Sequence, residues 1–535
     1  MASFRESLLG GFITGSEKEK TVEFRVKRFD PERDKHYLST YKVPILTGMS
    51  ILDALLYIKD NLDGTLTFRH SCRMGVCGSC GILVNGKPML ACYTQVLQLG
   101  VDVLEIEPLP NLPVIKDLVV DFHPFFEKFV KIKPVLIRAE EELRKPIEFV
   151  QMPSDLKKYW DESICIKCSL CYGSCPAAID MEFLGPSSLT TNYRFIVDTR
   201  DDGLSERLKT ASETIWLCTS CSSCTLSCPK EIDCATVLDN ERGLIVEEGV
   251  LVPGTTKDVL TSAFKFHNPV RMSPGKRTDW STGLEIKQLP MVEKTDVLYF
   301  VGCLPSYDAR NQEIAKSIAQ IFGKIDADFA TLGNEEWCCG DHILRLGEKG
   351  LFEMLAEHNA SLFEKYGFDR IVTISPHCYH TFKNDKPYTD IGLDVQHYTQ
   401  LVSEAIKNGR LRPVKAIKKK VTYHDPCFLG KRSGIYDEPR EILKSIPGLE
   451  LVEMGRSREN SFCCGGGAGR IWTEEATPEN RPCVNRAKEA LELGVEVIAT
   501  ACPFCVTTLE DAVKVLDAED KIVVKDIAEL LREAL

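Results

Sequence analysis

The chain is short of three things. It has no excess of basic residues: 66 Lys and Arg stand against 78 Asp and Glu, for a formal net charge of −12. Nucleic acids and anionic membranes are bound through basic surface, so neither is predicted as a partner. It has no apolar run near the ~20 residues that cross a bilayer, so no spanning segment is predicted. Its first 20 residues contain only the short apolar stretch Leu8–Ile13, followed by Glu and Lys, which does not read as a secretory leader. A cytoplasmic protein is expected, or one that meets a membrane only through a partner.

What is abundant is cysteine, 23 residues in 535. In a long chain without a leader, clustered Cys-x-x-Cys spacings indicate metal rather than disulfides. Cys72, Cys77 and Cys80, with Cys92 further on, have the plant-type [2Fe–2S] spacing. Gly75, Gly78 and Gly81 let backbone N–H groups wrap a cluster without Cβ clashes. A zinc knuckle is the alternative, but tetrahedral zinc prefers two separated pairs. Two bacterial ferredoxin runs follow: Cys165, Cys168, Cys171 and Cys175-Pro176, then Cys218, Cys221, Cys224 and Cys228-Pro229. In such pairs the fourth cysteine of each run ligates the other cluster. One [4Fe–4S] set is therefore Cys165, Cys168, Cys171 and Cys228; the other is Cys218, Cys221, Cys224 and Cys175. Cys234 lies outside the pattern and reads as a buried or spare thiol.

Composition changes divide the chain into a tail (1–20), a β-rich domain (21–108), a helical domain with two cysteine clusters in loops (109–250), a linker (251–293) and two related units (294–410 and 411–535). Strands are predicted over Val22–Phe29, Ile82–Val84, Met89–Cys92 and Asp102–Ile106. Asn85-Gly86 marks a hairpin and Ser50–Asn61 a helix. Helical periodicity covers Lys116–Lys131 and Glu206–Ser212. The Pro- and Gly-containing stretch 251–293 is expected to be weakly structured. In the two units, strands Asp296–Val301, Arg370–Ser375, Val421–His424 and Val495–Thr500 each lead toward a cysteine. Corresponding cysteines recur at about 125 residues. Alternating strands and helices predict two α/β subdomains with parallel sheets and sites at the strand carboxyl ends.

The second unit holds Cys427, Cys463-Cys464-Gly465, Cys502 and Cys505. Adjacent side chains point apart, which suits a large cluster gripped from two sides better than one tetrahedral ion, although zinc remains an alternative. The first unit holds Cys303, Cys338-Cys339-Gly340 and Cys378, but Ser375 stands where the pattern has its other cysteine. An intact cluster or a degenerate site are both open there. His377, His380 and His424 flank cysteines; they are read as hydrogen-bonding supports, with proton donation the alternative. Arg470 and Lys431 are candidates for binding an anionic substrate group, with ordinary surface charge the commoner explanation for either alone. Cys483 matches no ligand position.

Residues 21–240 resemble the iron–sulfur subunits of succinate dehydrogenases and fumarate reductases. The likeness rests on the Cys72–Cys92 loop, Pro108–Asp117, Phe183–Pro186, Tyr193–Phe195 and both cysteine runs. It implies a β-grasp ferredoxin-like domain, a helical dicluster ferredoxin domain, and a flavoprotein partner carrying FAD; no FAD site is legible in this chain. Members with a [3Fe–4S] centre usually lack a cysteine at the position of Cys221, so a second [4Fe–4S] is expected. The C-terminal half resembles the duplicated α/β CCG domain of heterodisulfide reductases, which implies a noncubane [4Fe–4S] cluster on Cys427, Cys463, Cys464, Cys502 and Cys505. The whole is a multidomain α+β chain similar to the iron–sulfur subunits of methanogen thiol:fumarate reductases. That resemblance implies oxidation of coenzyme M and coenzyme B, with electrons passed to the flavoprotein. The alternative is a succinate dehydrogenase-type subunit whose CCG half exchanges electrons with a quinone.

Overall fold

A computed structural model describes residues 20–144, 146–472 and 481–535. The tail with Leu8–Ile13 lies outside the described residues. Two compact units emerge: residues up to 122 together with 166–170, and 123–165 together with 171–535.

The first unit is built on a mixed five-stranded sheet. Its strands are β1 Lys20–Asp30, β2 Lys35–Ile45, β3 Gly81–Val84, β4 Lys87–Leu90 and β5 Val103–Glu107, in the order β2-β1-β5-β3-β4. β1 pairs antiparallel with β2 and parallel with β5. Its alternate residues Val22, Phe24 and Val26 are fully buried, as period-two patterning requires. Asn85 and Gly86 both have positive φ (46° and 75°), the backbone of a type I′ hairpin turn. Helix α1 (Ile51–Tyr57) begins at a Ser50–Asp53 capping box and buries Ile51, Leu52, Ala54 and Leu55.

Two expectations are corrected. Lys116–Lys131 is not helical throughout: β6 (Val114–Lys116) and β7 (Val119–Val120) form a small hairpin, and the helix starts at His123. Asp117 between the two strands has φ 51° and ion-pairs with buried Arg28 at 2.8 Å, which holds the turn open. Residues 251–293 are also not weakly structured. Gly254–Phe266 is a helix with Thr256, Val259 and Ala263 buried on one face. Downstream, Arg277 is buried against Glu336, and Trp280 packs edge-on to Tyr299.

In the second unit, α2 (Cys234–Glu247) carries Glu241 and Arg242, both fully buried. Glu241 accepts a hydrogen bond from the Asn192 amide at 2.7 Å, while Oε2 has no partner among the described residues. Burial raises the Glu241 carboxyl to about 8 from its ordinary 4.5. The folded chain thus binds this proton more tightly than the unfolded one. The stabilisation is complete below about pH 4.5 and is lost as pH rises through about 8. Glu241→Gln is expected to stabilise the protein by about 2 kcal/mol or more at about pH 9, and much less at about pH 5, in denaturant melts at the two pH values.

The C-terminal half contains two parallel sheets. The first is made of β8 Lys287–Gln288, β9 Lys294–Phe300, β10 Phe329–Thr331, β11 Gly367–Thr373 and β12 Val395–His397, in the order β12-β11-β9-β10-β8. The second is made of β13 Lys420–Tyr423, β14 Glu450–Leu451, β15 Val497–Thr500 and β16 Val523–Asp526, in the order β14-β13-β15-β16. Val297–Phe300 and Val497–Thr500 are buried throughout, as strands covered on both faces must be. Both halves close on a short strand and a helix, β12 with Tyr398–Lys407 and β16 with Ile527–Ala534, in agreement with the repeat.

Candidate metal centres

The Cys72–Cys80 loop converges backbone N–H groups on sulfur. Cys72 Sγ accepts from Met74 (3.5 Å), Val76 (3.3 Å) and Cys77 (3.2 Å), and Gly75 N donates to Cys92 Sγ at 3.3 Å. These bonds draw the Cys72 thiol down to about 6, whereas burial pushes Cys80 up to about 12. A loop that already stabilises thiolate fits a [2Fe–2S] cluster. Gly78, with φ +73°, lies where a Cβ would come within 2.6 Å of Cys168 Cβ. Gly78→Ala is therefore expected to cost roughly 3 kcal/mol or more, seen as earlier loss of cluster absorbance on heating.

In the second unit a small cavity is lined by Cys175, Cys218, Cys221 and Cys224, the set that crosses between the two ferredoxin runs. All four are buried. Arg242 lies beneath them, donating to the carbonyls of Cys218 (2.5 Å), Ile215 (2.7 Å) and Arg345 (3.0 Å). Its charge favours the thiolate at Cys218, although burial dominates and pushes that thiol up to about 12. Cys171, Cys224 and Cys234 share one buried cluster, with Cys165 and Cys228 packed against it. Cys234 is a buried thiol, in agreement with the sequence reading, and it opens α2 beside ligand candidates of both runs. Cys168 packs in the core of the first unit.

In the second CCG unit, β13 delivers Cys427 and β15 delivers Cys502 and Cys505, at the strand carboxyl ends. Cys463 Sγ lies 4.0 Å from Cys427 Sγ, and Cys464 Sγ lies 3.4 Å from Cys505 Sγ. Hydrogen bonds from Cys463 and Cys505 hold Cys464 well below the ordinary thiol value. Gly465 N donates to Cys463 Sγ at 3.3 Å. Five converging buried thiols, two of them supported by hydrogen bonds, fit a multi-iron cluster. His424 offers a ring nitrogen within 4.8 Å of the Cys464 and Cys505 sulfurs. Its Nδ1 accepts from Arg486 Nε at 3.2 Å, which leaves Nε2 to carry the hydrogen, and burial lowers its pKa to about 3. His424 Nε2 has no hydrogen-bond partner among the described residues.

In the first CCG unit, Cys303, Cys338, Cys339 and Cys378 are all buried. His377 Nδ1 sits 2.6 Å from Asp341 Oδ2, beside His342. His380 bonds to Asn384 within its own helix. Asp341, Arg242 and Arg277 stand in no motif, and no spacing signal in the sequence points to them.

A cavity of about 610 Å³ opens onto Cys464 and Gly465. Arg470, Arg481 and Lys514 line it together with Cys483. Arg481 is steadied by Asp511 at 2.5 Å. Lys431 does not line this cavity. It donates to Ser223 Oγ and to the Ser461 carbonyl, both at 2.5 Å, and so has a structural post rather than a substrate-binding one.

Family comparisons follow the same geometry. A 2Fe-2S iron-sulfur cluster binding domain matches residues 23–127. A 4Fe-4S dicluster domain matches 162–232, and a cysteine-rich (CCG) domain matches twice, at 297–383 and 421–510. A subunit of the fumarate reductase (CoM/CoB) of Methanothermobacter marburgensis is 31% identical over 527 residues, 95% of this chain and 98% of that one. The chain belongs to that family of iron–sulfur proteins. The family's three cysteine-bearing parts occur here in one order along one chain. The probable iron-sulfur-binding oxidoreductase FadF of Bacillus subtilis is 40% identical over 333 residues, 60% of this chain. The chain spans about half of FadF's length, 47%. A crystal structure of a hypothetical protein from Helicobacter pylori shares the fold: TM-score 0.64, 11% identity, 97% of this chain and 96% of that one. No described helix is long and apolar enough to cross a membrane.

Proposed function

We propose that the chain oxidises two thiols at its second CCG unit and feeds the electrons through the ferredoxin-type sites to a flavoprotein that reduces fumarate. The observation that carries this reading is the junction at Cys221. Cys221, Cys427, Phe428 and Cys463 form one buried cluster, so a ligand candidate of the dicluster domain touches the CCG thiols. Thr219 Oγ1 lies 3.6 Å from Cys463 Sγ, and Arg432 Nε donates to the Ser220 carbonyl at 2.9 Å. At Gly467 a Cβ would overlap the Thr219 carbonyl, so glycine permits the close approach.

The proposed substrates are coenzyme M and coenzyme B, by likeness to the Methanothermobacter protein. Each thiol gives up one proton, the two sulfurs join in a disulfide, and the two electrons released reduce fumarate, which takes up two protons to become succinate. The clusters, when bound, supply one-electron relays. The chain's own residues do the rest. The cavity over Cys464 admits a small molecule. Arg470 and Arg481, which share the lining with Asp308, Glu510 and Asp511, are the candidates for holding its anionic end. At the other end of the relay, the exposed side chains of Met74, Val76 and Tyr93 around the Cys72–Cys92 loop offer the flavoprotein an apolar docking rim. We place this assembly in the cytoplasm.

The test is anaerobic turnover of the complex with its flavoprotein. Coenzyme M and coenzyme B together should disappear in step with succinate formation, and neither should react alone. Turnover with a reduced quinone analogue, and none with thiols, would replace this reading with a membrane-relay one.

A further inference from the structure

Phe300 and His424 occupy the same place in the two CCG units. Each stands three residues before the first cysteine of its set, Cys303 or Cys427, where β9 or β13 ends. Asn359 and Arg486 also correspond. Each lies sixteen residues before Ser375 or Cys502, on the helix that precedes the strand leading there, α3 (Lys349–Lys365) or α4 (Pro482–Glu492). In the first unit these places do ordinary packing and backbone work. Phe300 packs against Phe363 and Phe382, and the Asn359 amide donates to the carbonyls of Trp337 (3.3 Å) and Cys338 (3.0 Å). The fold itself therefore does not require an imidazole at the end of this strand.

The second unit joins the two places. Arg486 is fully buried and donates from Nε to His424 Nδ1 at 3.2 Å. A guanidinium only donates, so Nδ1 carries the lone pair and Nε2 the hydrogen. The residue is pinned at both backbone groups: its N–H donates to the Ala499 carbonyl at 2.8 Å, and its carbonyl accepts from Thr500 Oγ1 at 3.2 Å. His424 is 1% exposed, and Nε2 has no partner among the described residues. A buried N–H left without an acceptor is costly. The acceptors at hand are sulfurs, since a ring nitrogen of His424 lies within 4.8 Å of Cys464 Sγ and Cys505 Sγ. The bond from Arg486 opposes metal ligation by the ring. A ligating imidazole donates its second N–H, whereas here the second nitrogen accepts.

We infer that His424 is a hydrogen-bond donor to sulfur at the second CCG centre, and that Arg486 is the positioning residue that fixes its tautomer. Such a bond favours the more negatively charged, reduced form of the centre and so raises its reduction potential. Phe300 offers no such bond in the first unit, so the two halves of the repeat differ in the polarity around their cysteines as well as in their number. The inference rests on a multi-iron centre in the second unit, and not on which donor reduces that centre.

Redox titration of the full chain, purified anaerobically with its flavoprotein and followed by EPR without added thiols, tests it. His424→Phe places at this position the ring that the first unit already uses. It should keep the iron content and shift the CCG centre roughly tenfold toward its oxidised form at fixed potential, a midpoint about 59 mV lower for a one-electron couple. The [2Fe–2S] midpoint should not move. An unchanged CCG midpoint would overturn the inference. So would a midpoint that moves only once thiols are added, which would assign the donor to the substrate. His424→Gln keeps an N–H and should recover part of the shift; a fall equal to that of the phenylalanine variant would reduce His424 to a packing role. Independently of both variants, 15N-labelled histidine in the unmodified chain should give a weak nitrogen coupling at the CCG centre. A coupling of directly bonded size would make His424 a ligand, and no coupling would put it out of reach; either overturns the inference. Absence of any CCG signal from the unmodified chain would overturn it together with the cluster assignment, whereas lack of thiol turnover alone would remove only the proposed function.

Discussion

Replacing Cys221 by serine should lower thiol-driven fumarate reduction on the order of 10²-fold or more, while dye-driven fumarate reduction by the partner flavoprotein is unchanged. Cys221 has two neighbourhoods. It lines the cavity shared with Cys175, Cys218 and Cys224, and it is buried with Cys427 and Cys463 on the other side. A serine keeps the volume but weakens iron ligation, since hydroxyl is a far poorer donor than thiolate. Iron content should fall at the dicluster, while the [2Fe–2S] spectrum, which we assign to Cys72, Cys77, Cys80 and Cys92, persists. Retained iron and retained thiol turnover together would show that Cys221 is idle, as in relatives with a [3Fe–4S] centre, and that electrons leave the CCG half elsewhere.

Arg242→Met should be the most damaging substitution away from the cysteines, costing about 3–5 kcal/mol. The guanidinium is fully buried and serves three carbonyls, with Ser220 Oγ at 3.3 Å in addition. Methionine fills much of the space but leaves those acceptors unsatisfied and removes a compensating charge for Asp239, 3.7 Å away. Chemical denaturation and iron retention should report the loss together, because the same side chain holds the Cys218 carbonyl. A denaturation midpoint near that of the unmodified protein would mean that water replaces the lost donors.

Much of this is legible in the sequence because cysteine spacing is a strong local code. The exchange of Cys175 into the second run's cavity follows from the run pattern alone, and the paired CCG units from the recurrence of cysteines and strands. The departures have identifiable physical causes. Gly254–Phe266 is obscured by flanking Pro and Gly residues, although its buried face at Thr256, Val259 and Ala263 has helical spacing. The Val114–Val120 hairpin depends on the long-range ion pair between Arg28 and Asp117, which no local window contains. Arg242, Asp341 and Arg277 have their main partners far away in sequence, such as Arg242 with Arg345, Asp341 with His377 and Arg277 with Glu336. Cys234 fits no run by its spacing, yet it packs against cysteines of both.

The crossing of Cys175 into the cavity of Cys218, Cys221 and Cys224 also bears on how the protein is made. Those thiols leave the ribosome in two instalments, one of them 43 residues ahead of the next. A nascent chain ending before Cys218 offers that cavity a single donor, and one ending before Cys228 leaves Cys165 and Cys171 without their late neighbour. Iron delivered early would find unfinished sockets. On the proposed ligand sets, loading of the two centres is thereby tied to completion of both runs, and a truncated translation product should carry neither.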